Sequence, residues 1–94
     1  MRANKVDGNQ TEIVTALRAC GFTVQPLNVV KNGCPDILVG AQKKNFLFEI
    51  KDSSRPPSAR HLTDDEYKWH LLWRGQVKTI TTAQEAVEII NDTL

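Results

Sequence analysis

The run FLFEIK at residues 46–51 constrains this chain more than any other feature. Side chains of a β-strand alternate between faces, so Phe46, Phe48 and Ile50 share one side while Leu47, Glu49 and Lys51 share the other. The first side requires a covering layer of apolar residues. The second ends in two charges after a leucine, which is unusual for a strand in mid-sheet. A fold that accepts both sides keeps this strand central and gives its charged end a task.

The rest of the chain supplies the covering layers. Asn9 and Glu12 have capping-box spacing, and Ile13, Ala16, Leu17 and Cys20 follow as one apolar stripe that Gly21 is placed to end. Residues 22–30 are rich in β-formers, and Pro26 makes them an edge or bulged strand. Lys31, Asn32 and Gly33 form a turn before a short strand at 35–40, PDILVG, and a polar hairpin turn at 41–45 leads into the central strand. Residues 52–62, with three serines and two prolines, read as a mobile loop.

Thr63 and Glu66 form a second capping box, opening a helix to about residue 73. Its apolar residues fall on two sides, Trp69, Leu72 and Trp73 against Tyr67 and Leu71. Such a helix is either sandwiched in the core or shared with a partner chain. After Gly75 come a strand at 76–80 and a third capping box, Thr82 with Glu85, before the stripe Ala83, Ala86, Val87 and Ile90. The order αβββαβα predicts an α/β fold with a mixed central sheet flanked by helices.

At 94 residues the chain is read as one domain, residues 1–94, with residues 1–8 as a loose tail. No apolar run approaches the roughly 18 residues of a membrane span, and the N-terminus lacks the apolar core of a secretory signal. Cys20 and Cys34 are too few for a disulfide scaffold and lack zinc spacing, which points to a soluble protein of the reducing cytoplasm. Residues 1–60 hold nine Lys and Arg against five Asp and Glu, whereas residues 61–94 hold three against six. A basic half supplies a phosphate-facing surface, or simply a solvated one.

Four features bear on chemistry. Pro35-Asp36 starts one strand, Glu49-Ile50-Lys51 ends the next, Glu12 lies early in the first helix, and a basic loop follows Lys51. An antiparallel hairpin sets Asp36 beside Glu49, and the Cα atoms of Glu49 and Lys51 are roughly 6.5–7 Å apart on one face. Two carboxylates can hold a hard divalent cation, with the ammonium beside the bound water or phosphate. The chemistry favoured is phosphodiester hydrolysis with Mg²⁺ or Mn²⁺. Each residue also has a plainer reading: Asp36 as a turn residue, Glu49 and Lys51 as a surface ion pair, and Glu12 as a helix cap. Glu66 is read as a cap rather than a site residue, His61 and His70 lack metal-ligand spacing, and Cys34 is read as a small buried residue. Lys43, Lys44, Arg55 and Arg60 are read as DNA-phosphate contacts, with solubility as the alternative.

Pro35-Asp36 followed by Glu49-Ile50-Lys51 resembles the PD-(D/E)XK nuclease motif. The runs GCPDILVG, FLFEIKD, LTDDE, WRGQV and TTAQEA are similar to the VRR-NUC family of that superfamily, in its small stand-alone phage and prophage members, over residues 9–92. The resemblance implies a restriction-endonuclease-like αβββαβ(α) core and a metal-dependent DNA endonuclease. It also implies a homodimer acting on branched DNA in the manner of a Holliday-junction resolvase. By position it makes Asp36, Glu49, Glu12 and the Ile50 carbonyl metal ligands, and Lys51 the catalytic lysine. The family usually has Gln where this chain has Glu66. The other readings are a catalytically weak DNA-binding or assembly module, and a nuclease that needs a helicase or similar partner.

Overall fold

The computed structural model describes residues 8–93, so residues 1–7 of the expected N-terminal tail lie outside it. The elements are α1 (Gln10–Ala19), β1 (Thr23–Pro26), β2 (Ile37–Ala41), β3 (Lys44–Ile50), α2 (Asp64–Leu72), β4 (Lys78–Ile80) and α3 (Ala83–Thr93), with a 3₁₀ turn at Pro57–Ala59. Among the described residues the four strands form one sheet in chain order, with β1, β2 and β3 antiparallel and β3 and β4 parallel. The mixed α/β architecture and the order of its elements agree with the sequence reading. No described helix is long and apolar enough to cross a membrane.

Local chemistry explains each element. Pro26, which has no N–H to donate, sits at the end of the edge strand β1. The hairpin between β2 and β3 turns through Gln42 and Lys43, both at positive φ, the backbone sign of a type I′ turn that matches strand twist. A parallel partner cannot follow β3 by a hairpin, so the chain crosses over through the 52–62 loop and α2 before entering β4.

The core lies on one face of the sheet. Ile37 and Val39 of β2, Phe46, Phe48 and Ile50 of β3, and Ile80 of β4 meet Ile13, Val14 and Leu17 of α1 and Ala86 and Ile90 of α3. Thr82 and Glu85 close the expected capping box of α3, with the Glu85 N–H donating to Thr82 Oγ1 at 3.1 Å and the Thr82 N–H to Glu85 Oε1 at 3.1 Å. The other sheet face carries Leu38, Leu47, Glu49 and Lys51, and α2 approaches it at the Glu49 end through the Lys51–Glu66 contact. No residue of α2 is buried, and Tyr67, Leu71, Leu72 and Trp73 are exposed, so the core-sandwich reading of this helix is set aside.

Two expectations for α1 need correction. Asn9 has helical φ and ψ and makes no side-chain cap bond. Its amide instead donates to the carbonyls of Lys51 (3.1 Å) and Thr81 (3.0 Å), tying the helix start to the ends of β3 and β4. A side chain spent on that stitch cannot also turn back onto its own helix. The buried stripe also shifts to Gln10, Ile13, Val14 and Leu17, leaving Cys20 exposed.

Lys31, Asn32 and Gly33 all have positive φ, and Gly33 at +85° packs directly against the start of α2. A methyl group there would overlap the Asp65 carbonyl and come within 2.9 Å of the Glu66 nitrogen. Gly21 has a similar φ of +93° but open space around it. Gly21→Ala should therefore cost only the left-handed strain, about 1–2 kcal/mol. Gly33→Ala should cost clearly more, lowering the melting temperature by roughly 10 °C or beyond at about 4–8 °C per kcal/mol. Thermal unfolding followed by circular dichroism checks this, and equal losses would contradict the close packing.

Candidate active site

The hairpin register assembles the acidic pair. Ile37 of β2 faces Phe48 of β3, so Asp36 stands one step further out, at the level of Glu49. The Asp36 N–H donates to the Phe48 carbonyl at 3.0 Å, and Asp36 Oδ2 accepts from the Ile50 N–H at 2.7 Å. Asp36 Oδ1 accepts from Asn28 Nδ2 at 3.2 Å, and Asn28 pairs reciprocally with Gln10 of α1 at 2.7 and 3.2 Å. The carboxylate is thus oriented by its own hairpin, by the preceding loop and by the first helix.

Glu49 is 1% exposed and Lys51 is 7% exposed, an uncommon depth for two ionisable residues. Lys51 Nζ lies 2.8 Å from Glu66 Oε1 and 3.7 Å from Glu49 Oε2. The same Glu66 oxygen accepts the Thr63 N–H at 2.9 Å, while the Glu66 N–H donates to Thr63 Oγ1 at 3.2 Å. The second capping box is therefore present as expected, and one of its members also holds the buried lysine. Burial alone would raise the Glu66 carboxyl, but Lys51 and the Thr63 amide outweigh it and hold it below the ordinary range.

Glu49 is the electrostatic anomaly. Its Oε1 is enclosed and has no hydrogen-bond partner. Burial first, then the charge of Asp36 and a carboxyl–carboxyl hydrogen bond with it, and then the same two effects from Glu66, push its carboxyl up to about 10. Without a cation, this upward direction favours the protonated form of Glu49. Burial and the neighbouring Glu49 and Asp36 likewise raise the Cys34 thiol, which is half-buried at the cleft and not fully buried as expected. Burial lowers His70, whose half-buried ring packs edge-on against Trp69.

A cleft of about 230 Å³ lies beside this group; its lining includes Asn28, Lys31, Cys34, Asp36, Asp65 and Glu66 but neither Glu49 nor Lys51. The remaining expected site residues divide between near and far. Arg55 and Arg60 are exposed on the loop that leaves from Lys51 and returns to Thr63. Lys43 and Lys44 stand at the hairpin end of β3, roughly 16 Å along the strand from Glu49. Lys44 Nζ donates to the Thr93 carbonyl at 3.0 Å, at the negative end of α3. They do not flank the acidic pair.

Glu12 is exposed beside a separate small cavity with Ile13, Thr81, Thr82 and Ala83. Two residues along a helix turn the side chain through about 200°, so Glu12 and Gln10 face nearly opposite ways. Gln10 is the α1 residue that reaches the site, through Asn28. Among the described residues, no group of three or more His, Cys, Asp or Glu is arranged to hold a metal ion. Any cation here would rest on Asp36, Glu49 and main-chain or solvent oxygen.

Gln10, Asn28 and Glu66, which sequence reasoning missed as site residues, are hydrogen-bonded around the acidic pair and Lys51, and Lys31 lines the cleft. Only Glu66 left a signal, since its spacing from Thr63 fixes its place at a helix start. Comparison with protein-family models, curated proteins and solved structures finds no match to this chain.

The raised Glu49 carboxyl has a thermodynamic consequence. The folded chain keeps a proton that the unfolded chain releases above its ordinary value of 4.5, so cation-free stability falls as pH rises from there toward 10. Glu49→Gln should flatten that slope and, at pH 8 in a chelating buffer, raise stability. Urea unfolding at a series of pH values measures both quantities. An unchanged slope would contradict the assignment of the proton to Glu49.

Proposed function

We propose that this chain is a metal-dependent DNA endonuclease of the VRR-NUC type, with a restriction-endonuclease-like core, acting on branched DNA. The observation that carries the reading is the convergence of Asp36, Glu49 and Lys51 at one end of the sheet, around an enclosed carboxylate oxygen that lacks a donor. A divalent cation fits that oxygen better than any side chain present, because Glu49 otherwise needs a proton to coexist with Asp36. Asp36, Glu49 and the Ile50 carbonyl would hold Mg²⁺ or Mn²⁺, the Ile50–Lys51 peptide being held by its Lys51 N–H, which donates to the Ile80 carbonyl at 2.9 Å. Such an ion, when bound, polarises the phosphodiester and acidifies attacking water.

The chain's own residues supply the rest. Lys51, paired with Glu66, acts as an ammonium: it donates to a phosphate oxygen and stabilises charge rather than accepting a proton. Lys31 at the cleft, with Arg55 and Arg60 on the loop, gives phosphate contacts that position DNA without reading its sequence. Lys43 and Lys44, at the far end of β3, would touch only more distant phosphates.

A second copy of the chain fits the exposed face of α2. Asp64 and Asp65 lie at its N-terminal end, with Lys68 within it and Arg74 just beyond it. A two-fold axis that sets two such helices antiparallel brings acidic start against basic end, with Tyr67 and Leu71 between. It also matches the two-fold symmetry of a four-way junction. Sedimentation should give a dimer for the wild type and a monomer for Leu71→Glu. A monomeric wild type would remove this part of the proposal.

A DNA-binding or assembly module is the second reading, favoured by the cavity that Glu12 lines, whose lining includes neither Asp36 nor Glu49. Cleavage of a labelled four-way junction, with duplex, flap and single-strand controls and with Mg²⁺, Mn²⁺ or EDTA, separates the two. The nuclease reading expects symmetric, metal-dependent cuts that Lys51→Ala reduces by at least about a hundredfold. Cutting of flaps or duplex alone keeps the active site and discards the junction. Tight binding with no cleavage favours the module, or a nuclease that requires a partner such as a helicase.

A further inference from the structure

We propose that Glu66 is the positioning residue that holds the Lys51 ammonium beside Glu49, so that the helix cap of α2 is also part of the reaction's geometry. The proposal rests on the nuclease reading for its catalytic half and on geometry alone for its structural half. Glu66 Oε1 accepts from both Thr63 N–H (2.9 Å) and Lys51 Nζ (2.8 Å). The cap fixes the carboxylate against its own helix, so Glu66 is the anchor and Lys51 the group that is held. Without it, a four-carbon side chain with freely rotating bonds loses its 2.8 Å contact and keeps the longer 3.7 Å approach to Glu49 Oε2.

Two further features fix the anchor. Gly33 packs on Asp65 and Glu66, which ties the start of α2 to the chain that leads through Cys34 and Pro35 into Asp36. The Lys51–Glu66 pair also closes the base of the 52–62 loop, because the two residues stand at its ends. The acid on β2's approach, the lysine after β3 and the start of α2 are therefore held in one frame. A displacement of about 1 Å in such a frame is enough to cost about a hundredfold in rate.

The test compares Glu66→Ala, Glu66→Gln and Thr63→Ala with the wild type. Glutamine retains an oxygen for both the cap amide and Lys51, and alanine retains neither. Thr63→Ala removes half of the cap but leaves the Glu66 oxygen in place, so it controls for lost helix stability.

Two quantities are read: kcat and KM on the DNA substrate that the wild type cleaves, and the rate at which acetic anhydride modifies Lys51, followed by peptide mass spectrometry. Glu66→Ala should lower kcat by about 10- to 100-fold with KM nearly unchanged, and should speed Lys51 modification at least about tenfold. Glu66→Gln should restore both quantities to within about fivefold, and Thr63→Ala should lose stability but keep the wild-type Lys51 protection.

Wild-type kcat and wild-type protection in Glu66→Ala would overturn the proposal, as would equal loss in Thr63→Ala and Glu66→Ala. If the wild type cleaves no DNA, protection that follows Glu66 sustains the positioning role while the nuclease reading fails. Protection independent of Glu66 overturns the role in either case.

Discussion

The enclosed carboxyl of Glu49 is the constraint around which the rest of this structure is arranged. A carboxylate without water costs several kcal/mol unless a proton, a cation or well-placed donors neutralise it. Here the neighbours include two more carboxylates, Asp36 and Glu66, and the ammonium of Lys51, which lies 2.8 Å from Glu66. Asp36 is already satisfied in part by the Ile50 amide and by Asn28, and Glu66 by Lys51 and the Thr63 amide. Glu49 Oε1 is left without a hydrogen-bond partner. A leucine at this position would carry no such penalty.

Much of the surrounding fold serves to keep that acid in place. The apolar face of β3 is buried under α1 and α3, which pins the strand, and the alternation of side chains then forces Glu49 and Lys51 to the opposite face. The Asn9 amide joins the start of α1 to the carbonyl of Lys51. Gly33 allows the loop before Asp36 to touch the start of α2, and that helix start returns Glu66 to Lys51. Three segments distant in sequence thereby meet at one end of the sheet. The same arrangement leaves the apolar residues of α2 on the surface, since its anchoring contacts are polar and lie in its first turn.

The parts legible in the sequence were those governed by local rules. Strand alternation at residues 46–51, the edge position of Pro26, and the capping boxes of Thr63 and Thr82 each depend on a few neighbouring residues, and each stands as read. Asn9 with Glu12 has the same capping-box spacing, yet tertiary contacts to Lys51 and Thr81 override it. The pairing of Asp36 with Glu49 was legible because a hairpin converts sequence spacing into proximity. Gln10, Asn28 and Lys31 were not, because their places depend on how α1 and the loop before Asp36 dock. Lys43 and Lys44 show the converse: close to the motif in sequence, they stand at the other end of the strand from it.

The central claim is that Glu49 exchanges a proton for a divalent cation held with Asp36. Calorimetric titration of Mn²⁺ into the wild type and into Glu49→Gln, at neutral pH in two buffers of different ionisation enthalpy, tests it most directly. The account predicts saturable binding to the wild type with release of about one proton per ion, and binding lost or strongly weakened in Glu49→Gln. No binding to the wild type, binding without proton release, or equal affinity in the variant would contradict it.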